Sequence, residues 1–231
     1  MSTPPDVVAM HMSDGIIDLP ASLLFGVVAV IGIGVCASRA RTELNEKTVP
    51  MAGLVAAFVF AVQMVNFPIL PGVSGHLLGG ALAAILVGPF TGALCVSIVL
   101  VVQALLFADG GLSALGANIT NMALIGVTVG YSVAVILRAI VLRHTTLTGL
   151  GVVAFLAALC GTVCASAGFI LEYAIGGAAP TSLGAVAAYM LGTHVLIGIG
   201  EGLITAVTVV AVARVRPDLV YLLRTKSTVD A

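Results

Sequence analysis

The chain has 231 residues, 60% of them hydrophobic and 8% charged, with a mean hydropathy of +1.22. A soluble domain carries charge on roughly a quarter of its residues, so that class is excluded. A formal net charge of -1 with no basic arm also excludes nucleic acid as a partner. What remains is an all-α, polytopic helix bundle in the cell membrane.

In chain order, Met1 to Ala9 contain no Lys or Arg, unlike the charged start of a secretory signal. They are expected to be an unstructured leader, or no part of the mature chain. Met10-His11-Met12-Ser13-Asp14-Gly15 follows. If Met10 is the first residue, its α-amine, the deprotonated His11 amide and the His11 imidazole close two adjoining chelate rings on a metal. Such nitrogen donors suit Ni(II) or Co(II). The plainer alternative makes His11 a solvated loop residue.

A helix needs about 20 apolar residues to cross ~30 Å of hydrocarbon. The apolar blocks fall near 17–38, 50–66, 76–88, 90–108, 118–142, 150–174 and 183–213, which predicts about seven spans. The third block is short and is expected to form a half-helix, or a hairpin with the fourth through Gly88-Pro89. Gly192, Gly198, Gly200 and Gly202 are expected to let the later helices approach closely. One transmembrane domain over 10–215 and a cytoplasmic tail over 216–231 result. Cys36, Cys95, Cys160 and Cys164 all lie in apolar runs and read as small core residues.

Lys and Arg fall at 39, 41 and 47, at 138 and 143, and at 214, 216, 224 and 226, all on one face of the predicted topology. By the basic-residue rule that face is cytoplasmic, with the amino terminus outside and the carboxyl terminus inside. The opposite face carries His11, Asp14, Asp18, His76, Asp109 and Glu172, an acidic, histidine-bearing surface that would meet a cation first.

The segment from Asn66 to His76 is rich in Pro and Gly and is expected to be irregular, bringing His76 to the mouth of the third helix beside His11. A lone histidine there would start a helix; paired with His11, ligation is the better use. Gln103 through Asn118 is a turn-rich connection, with Asp109-Gly110-Gly111 as the turn and Asn118 as an N-cap candidate. Gln103 and Asn118 could also hydrogen-bond the loops or the second nitrogen of a ligating imidazole. His194 and Glu201 share a face of the last helix, inside the apolar run. Ionisable groups at such depth face the bundle interior, either as a polar contact that fixes packing or as a relay or gate for a cation.

Met10 to Gly15, then Pro71-Gly72-Val73-Ser74-Gly75-His76-Leu77-Leu78-Gly79-Gly80, then Gln103 to Asn118, then His194 to Glu201 together resemble the CbiM/NikM family. These are the substrate-capture components of cobalt/nickel energy-coupling-factor transporters. The resemblance implies no enzymatic activity and Co2+ or Ni2+ as transported substrate, held by Met10, His11 and His76. It implies partners too: a transmembrane coupling subunit, cytoplasmic ATPase subunits and often a small accessory membrane subunit. In that family the Met-His pair begins the mature chain, whereas nine residues precede it here. Either Met10 is the true start, or the leader is removed, or binding uses a weaker donor set; a start at Met10 is expected, because the leader has no apparent role.

Two other classes compete. Gly72-Val73-Ser74-Gly75 resembles the short signature of an intramembrane serine protease, with His194 as the helix-buried base. A stand-alone secondary metal transporter would more often show inverted repeats, and no clear repeat is visible.

Overall fold

Asp18 sets the start of the first helix: its carboxylate accepts the Ala21 amide at 2.9 Å, and Pro20 occupies the first turn, where its missing N–H is no loss. In a computed structural model that describes residues 11–46, 48–70, 73–141 and 146–224, helix α1 then runs over Leu19–Ala40. The expected leader and Met10 lie outside the described residues, as do Lys47, Arg143 and Lys226 and the side chain of Ser74.

The helices follow the predicted blocks. After α1 come α2 (Thr48–Gln63), a hairpin of β1 (Asn66–Leu70) and β2 (Val73–His76), α3 (Gly80–Val87) and α4 (Pro89–Leu106). Next are α5 (Leu115–Ile140), α6 (Leu147–Gly176) and α7 (Leu183–Val215). Five of them, α1, α4, α5, α6 and α7, are long and apolar enough to cross a membrane. Helix α2, with 16 residues, reaches about 24 Å at 1.5 Å per residue. Helix α3 is the short third block, and all eight of its residues are buried. At about 12 Å it cannot span; it is apolar all round because helices surround it. Outward faces expose apolar side chains such as Val30, Leu106 and Leu196, the surface hydrocarbon favours. This is an all-helical, multi-pass membrane bundle.

The segment expected to be irregular pairs instead as an antiparallel hairpin, with Asn66 opposite His76 and Phe67 opposite Gly75. Its register slips between Pro68 and Leu70, where proline has no amide to give the ladder. Of the four glycines expected at close helix contacts, Gly198 and Gly202 serve: an added Cβ would stand 2.8 and 2.6 Å from the side chains of Leu159 and Phe155. At Gly192 and Gly200 an added Cβ would meet nothing within 4 Å among the described residues. The four cysteines are free.

The two ends of the bundle differ. At one end Glu43 caps α4, accepting the amides of Phe90 at 3.2 Å and Thr91 at 2.7 Å, where the helix dipole favours a carboxylate. Gly88, at φ 103°, makes room: a Cβ there would lie 2.5 Å from the Glu43 carboxyl carbon. Arg138 donates to the Leu222 carbonyl at the same end, and Val220 and Leu222 are buried. The stretch read as a tail therefore packs on the bundle at least to Leu222. The other end, beyond the 18 residues of α4, carries His11, His76 and Asp109.

Candidate functional site

The first described residues are pinned to that end from three directions. Asp18 donates its amide to the Gly176 carbonyl at 2.7 Å, and Ala178 donates to Ile16 at 3.0 Å, so residues 16–18 pair with the end of α6. Ser113 gives its hydroxyl at 2.6 Å and its amide at 2.8 Å to Asp14, and the hydroxyl bond foremost holds the Asp14 carboxyl below its usual range. Asn118 grips Met12 at two points, its Oδ1 accepting the Met12 amide at 3.1 Å and its Nδ2 donating to the Met12 carbonyl at 3.2 Å.

Asn118 is thus no N-cap. It lies inside α5, which begins at Leu115, and its work is to hold the residue after His11. Gly110 and Gly111 do more than turn the chain. A Cβ on Gly110 would lie 2.8 Å from that of His11, and one on Gly111 2.2 Å from the Asp14 nitrogen, so only glycines let this connection close over the amino-terminal segment.

His11 and His76 come together, both 4% exposed, with ring centroids 4.5 Å apart and planes at 53°. His11 Nδ1 faces Asp109 Oδ1 at 3.2 Å; the carboxylate accepts, so Nδ1 carries a proton, and in the neutral ring Nε2 has the lone pair. That Nε2 is buried with no hydrogen-bond partner among the described residues. His76 Nδ1 donates to the Leu77 carbonyl at 2.9 Å, again leaving the lone pair on Nε2. Burial above all, and the neighbouring His11 next, push the His76 imidazole down to about 3. It is a neutral, ligand-ready ring.

The segment after His76 is fixed by Glu201. Its carboxylate accepts the Leu78 amide at 2.7 Å, the Gly79 amide at 2.9 Å and the Thr162 hydroxyl at 3.0 Å, while Gln63 donates to the Leu78 carbonyl at 2.8 Å. Three helices, α2, α6 and α7, therefore converge on the residues that place His76. The Glu201 contacts tie α7 to α6 and to the segment after His76.

His11, His76, Asn118 and His194 line one cavity of about 40 Å³. Gln103 is fully buried but does not line it; its backbone carbonyl accepts the Asp109 amide at 3.1 Å. Sequence reasoning missed Asp109 as the partner of His11, having taken it for a turn residue. It missed Asn121 as well, which also lines the cavity and donates to Glu172 at 2.6 Å. Asn121 belongs to a π-helical stretch over Ile119–Gly126, a distortion frequent at functional sites. Among the described residues, no three His, Cys, Asp or Glu side chains are grouped to hold a metal.

The comparisons with known proteins agree with this architecture. The family model CbiM, the cobalt uptake substrate-specific transmembrane region, matches residues 11–219. The chain is 41% identical over 215 residues to a protein of Archaeoglobus fulgidus named as a fused nickel transport protein, NikMN, covering 91% of this chain and 68% of that one. It is 36% identical over 221 residues to the cobalt transport protein CbiM of Geobacter sulfurreducens, covering 91% of this chain and 61% of that protein. A crystal structure of a transition metal transporter superposes with a TM-score of 0.78 at 26% identity, over 89% of this chain and 93% of that one. The chain belongs to the CbiM family of cobalt uptake substrate-specific transmembrane proteins.

Proposed function

We propose that this chain is the substrate-capture component of a cobalt or nickel importer, taking the divalent ion from the extracytoplasmic side. The observation that carries the reading is the His11 and His76 pair, with centroids 4.5 Å apart. On metal–nitrogen bonds of about 2.0 Å, two imidazoles at right angles on one ion would have their ring centres roughly 4.5 Å apart. The donors are the Met10 amine, the His11 amide and Nδ1, and His76 Nε2. This four-nitrogen set puts the two rings side by side and suits Ni(II) or Co(II). The names of the relatives, one for nickel and one for cobalt, support the same cargo.

The ion passes inward with a transmembrane coupling subunit and ATPases, with or without a small accessory membrane subunit. The chain has no Gly-x4-Gly-Lys-Ser/Thr phosphate loop of its own. The distribution of basic residues supports a cytoplasmic place for the end that gathers Glu43, Arg138 and the stretch near Arg224. That end offers the coupling subunit its docking surface.

Uptake of radioactive nickel or cobalt ion by cells with and without the partner subunits tests this. The chain alone should bind the ion and accumulate little of it, and His11→Ala or His76→Ala should abolish tight binding in a chain that still folds. Concentrative uptake by the chain alone, stopped by an uncoupler and indifferent to ATPase loss, would favour a secondary transporter instead.

A further inference from the structure

We propose that the cavity beneath the capture pair holds a second station for the cation, made by His194 Nε2 from α7 and Asn121 Oδ1 from α5, with the Glu172 carboxyl behind it. The inference rests on His11 and His76 as the capture pair.

His194 is 7% exposed in a helix long and apolar enough to cross a bilayer, where an ionisable side chain is costly and turns to a partner or a cavity. It lines the same cavity as His11 and His76. Its Nδ1 lies 2.8 Å from the Met190 carbonyl, which can only accept. The ring therefore donates from Nδ1 and keeps its lone pair on Nε2, the state a metal requires.

Asn121 supplies a second, independent sign. It is 5% exposed, and its Nδ2 is committed to Glu172 at 2.6 Å. Its Oδ1 has no hydrogen-bond partner among the described residues, and a buried carbonyl left so is costly unless something comes to it. Gly168 stands against that oxygen, where a Cβ would lie 2.4 Å from it, and Asn121 itself lines the cavity. Glu172, 1% exposed, has no basic partner within ion-pair distance among the described residues, so a cation at Asn121 would find a carboxyl group with no competing cation one side chain away.

Imidazole and carboxamide oxygen, completed by water, suit the same borderline ions as the capture site. The cavity, at about 40 Å³, exceeds the 10–15 Å³ or so that one water needs, so the ion can enter partly hydrated. Because no three metal-ligating side chains of the described residues are grouped, His194 does not ligate together with His11 and His76 in this conformation. The two stations are used in turn.

The test compares His194→Gln, His194→Cys and Asn121→Leu in the full chain. Ni(II) affinity is measured on the purified protein, and radioactive nickel uptake in cells that carry the partner subunits. His194→Gln, which retains a donor for the Met190 carbonyl but is a poor ligand, should lower uptake at least about tenfold, the lower range for a disturbed metal site, and affinity far less. His194→Cys, which brings a thiolate, should recover much of the uptake. Asn121→Leu should show the same split from another helix. Normal uptake with His194→Gln, or equal loss in the Gln and Cys variants of normal thermal stability, overturns the proposal. Loss of affinity in His194→Gln as complete as in His11→Ala also overturns it, by making His194 a capture ligand. Unchanged affinity in both His11→Ala and His76→Ala would instead refute the capture pair itself, whatever His194 does.

Discussion

His11 Nδ1 and Asp109 Oδ1 meet at 3.2 Å, and this contact occupies the one ring nitrogen that can chelate together with the His11 amide. Only Nδ1 closes a six-membered ring with the backbone nitrogen of its own residue; Nε2 is too far along the imidazole. Metal capture through the proposed donors must therefore take Nδ1 away from Asp109 and move the ring proton to Nε2. Nitrogen NMR of histidine-labelled protein should show His11 with its proton on Nδ1 before loading and on Nε2 after loading with diamagnetic, square-planar Ni(II). A ring that keeps its proton on Nδ1 in the loaded state would mean that Nε2 ligates, and that the amino-terminal chelate does not form.

The buried state of His76 has its own consequence. Its imidazole is pushed from 6.5 down to about 3, by burial first and by His11 second, against the opposing pull of the Leu77 carbonyl and Asp109. Above pH 6.5 the ring is neutral folded or unfolded and contributes nothing to pH dependence. Below that, the unfolded chain binds a proton the folded chain refuses, so stability falls as pH drops from 6.5 toward 3. Thermal unfolding of the metal-free protein between pH 7 and pH 5 should show this slope, and His76→Gln should flatten it. An identical slope in the variant would place the titration elsewhere.

Much of the bundle was legible because its signal is length and apolarity. The block over residues 76–88 was too short to span, and α3 covers Gly80–Val87. The pairing of His11 with His76 was legible too, because two histidines at loop positions on one predicted end have few other uses. What could not be read depends on contacts across the chain. Asp109 beside two glycines has the local chemistry of a turn, and its bond to His11 spans 98 positions. Asn118 carries the side chain of an N-cap, yet its partner Met12 lies 106 positions away. Glu43 caps a helix that starts more than forty residues later, which no local capping pattern announces. The π-helical stretch that holds Asn121 answers to packing rather than propensity.

Glu201 should govern the capture site from beneath. Replacing it by Ala strips the acceptor from the amides of Leu78 and Gly79 and from the Thr162 hydroxyl. Each buried donor left unpaired costs about 1–3 kcal/mol. Those amides belong to the second and third residues after His76, so the variant should lose both stability and Ni(II) affinity. Glu201→Gln keeps one acceptor oxygen but sets an amide NH2 against backbone N–H groups, and should fall between wild type and Ala. Thermal unfolding in detergent and calorimetric Ni(II) titration read the two effects separately. Wild-type affinity in a destabilised Ala variant would confine Glu201 to packing and detach it from the site.

The amino-terminal donor remains, and it can be isolated by length alone. His11 and His76 provide two imidazoles, and no third His, Cys, Asp or Glu of the described residues joins them in a metal-holding group. Tight capture of Ni(II) or Co(II) then needs backbone nitrogens, and the α-amine of Met10 with the His11 amide supplies two. With Met1 to Ala9 attached, residue 10 has an ordinary amide in place of the amine, and the chelate loses its first donor. A chain trimmed to begin at Met10 should therefore bind at least about tenfold more tightly than one that retains the leader, since losing a ligand costs no less than disturbing its surroundings. Binding to the trimmed chain should also release more protons, because the amine and the amide must both give theirs up. Calorimetry of both forms in two buffers of different ionisation enthalpy measures affinity and proton release together, with mass spectrometry confirming each amino terminus. Equal affinity and equal proton release would show that the amine is not a ligand.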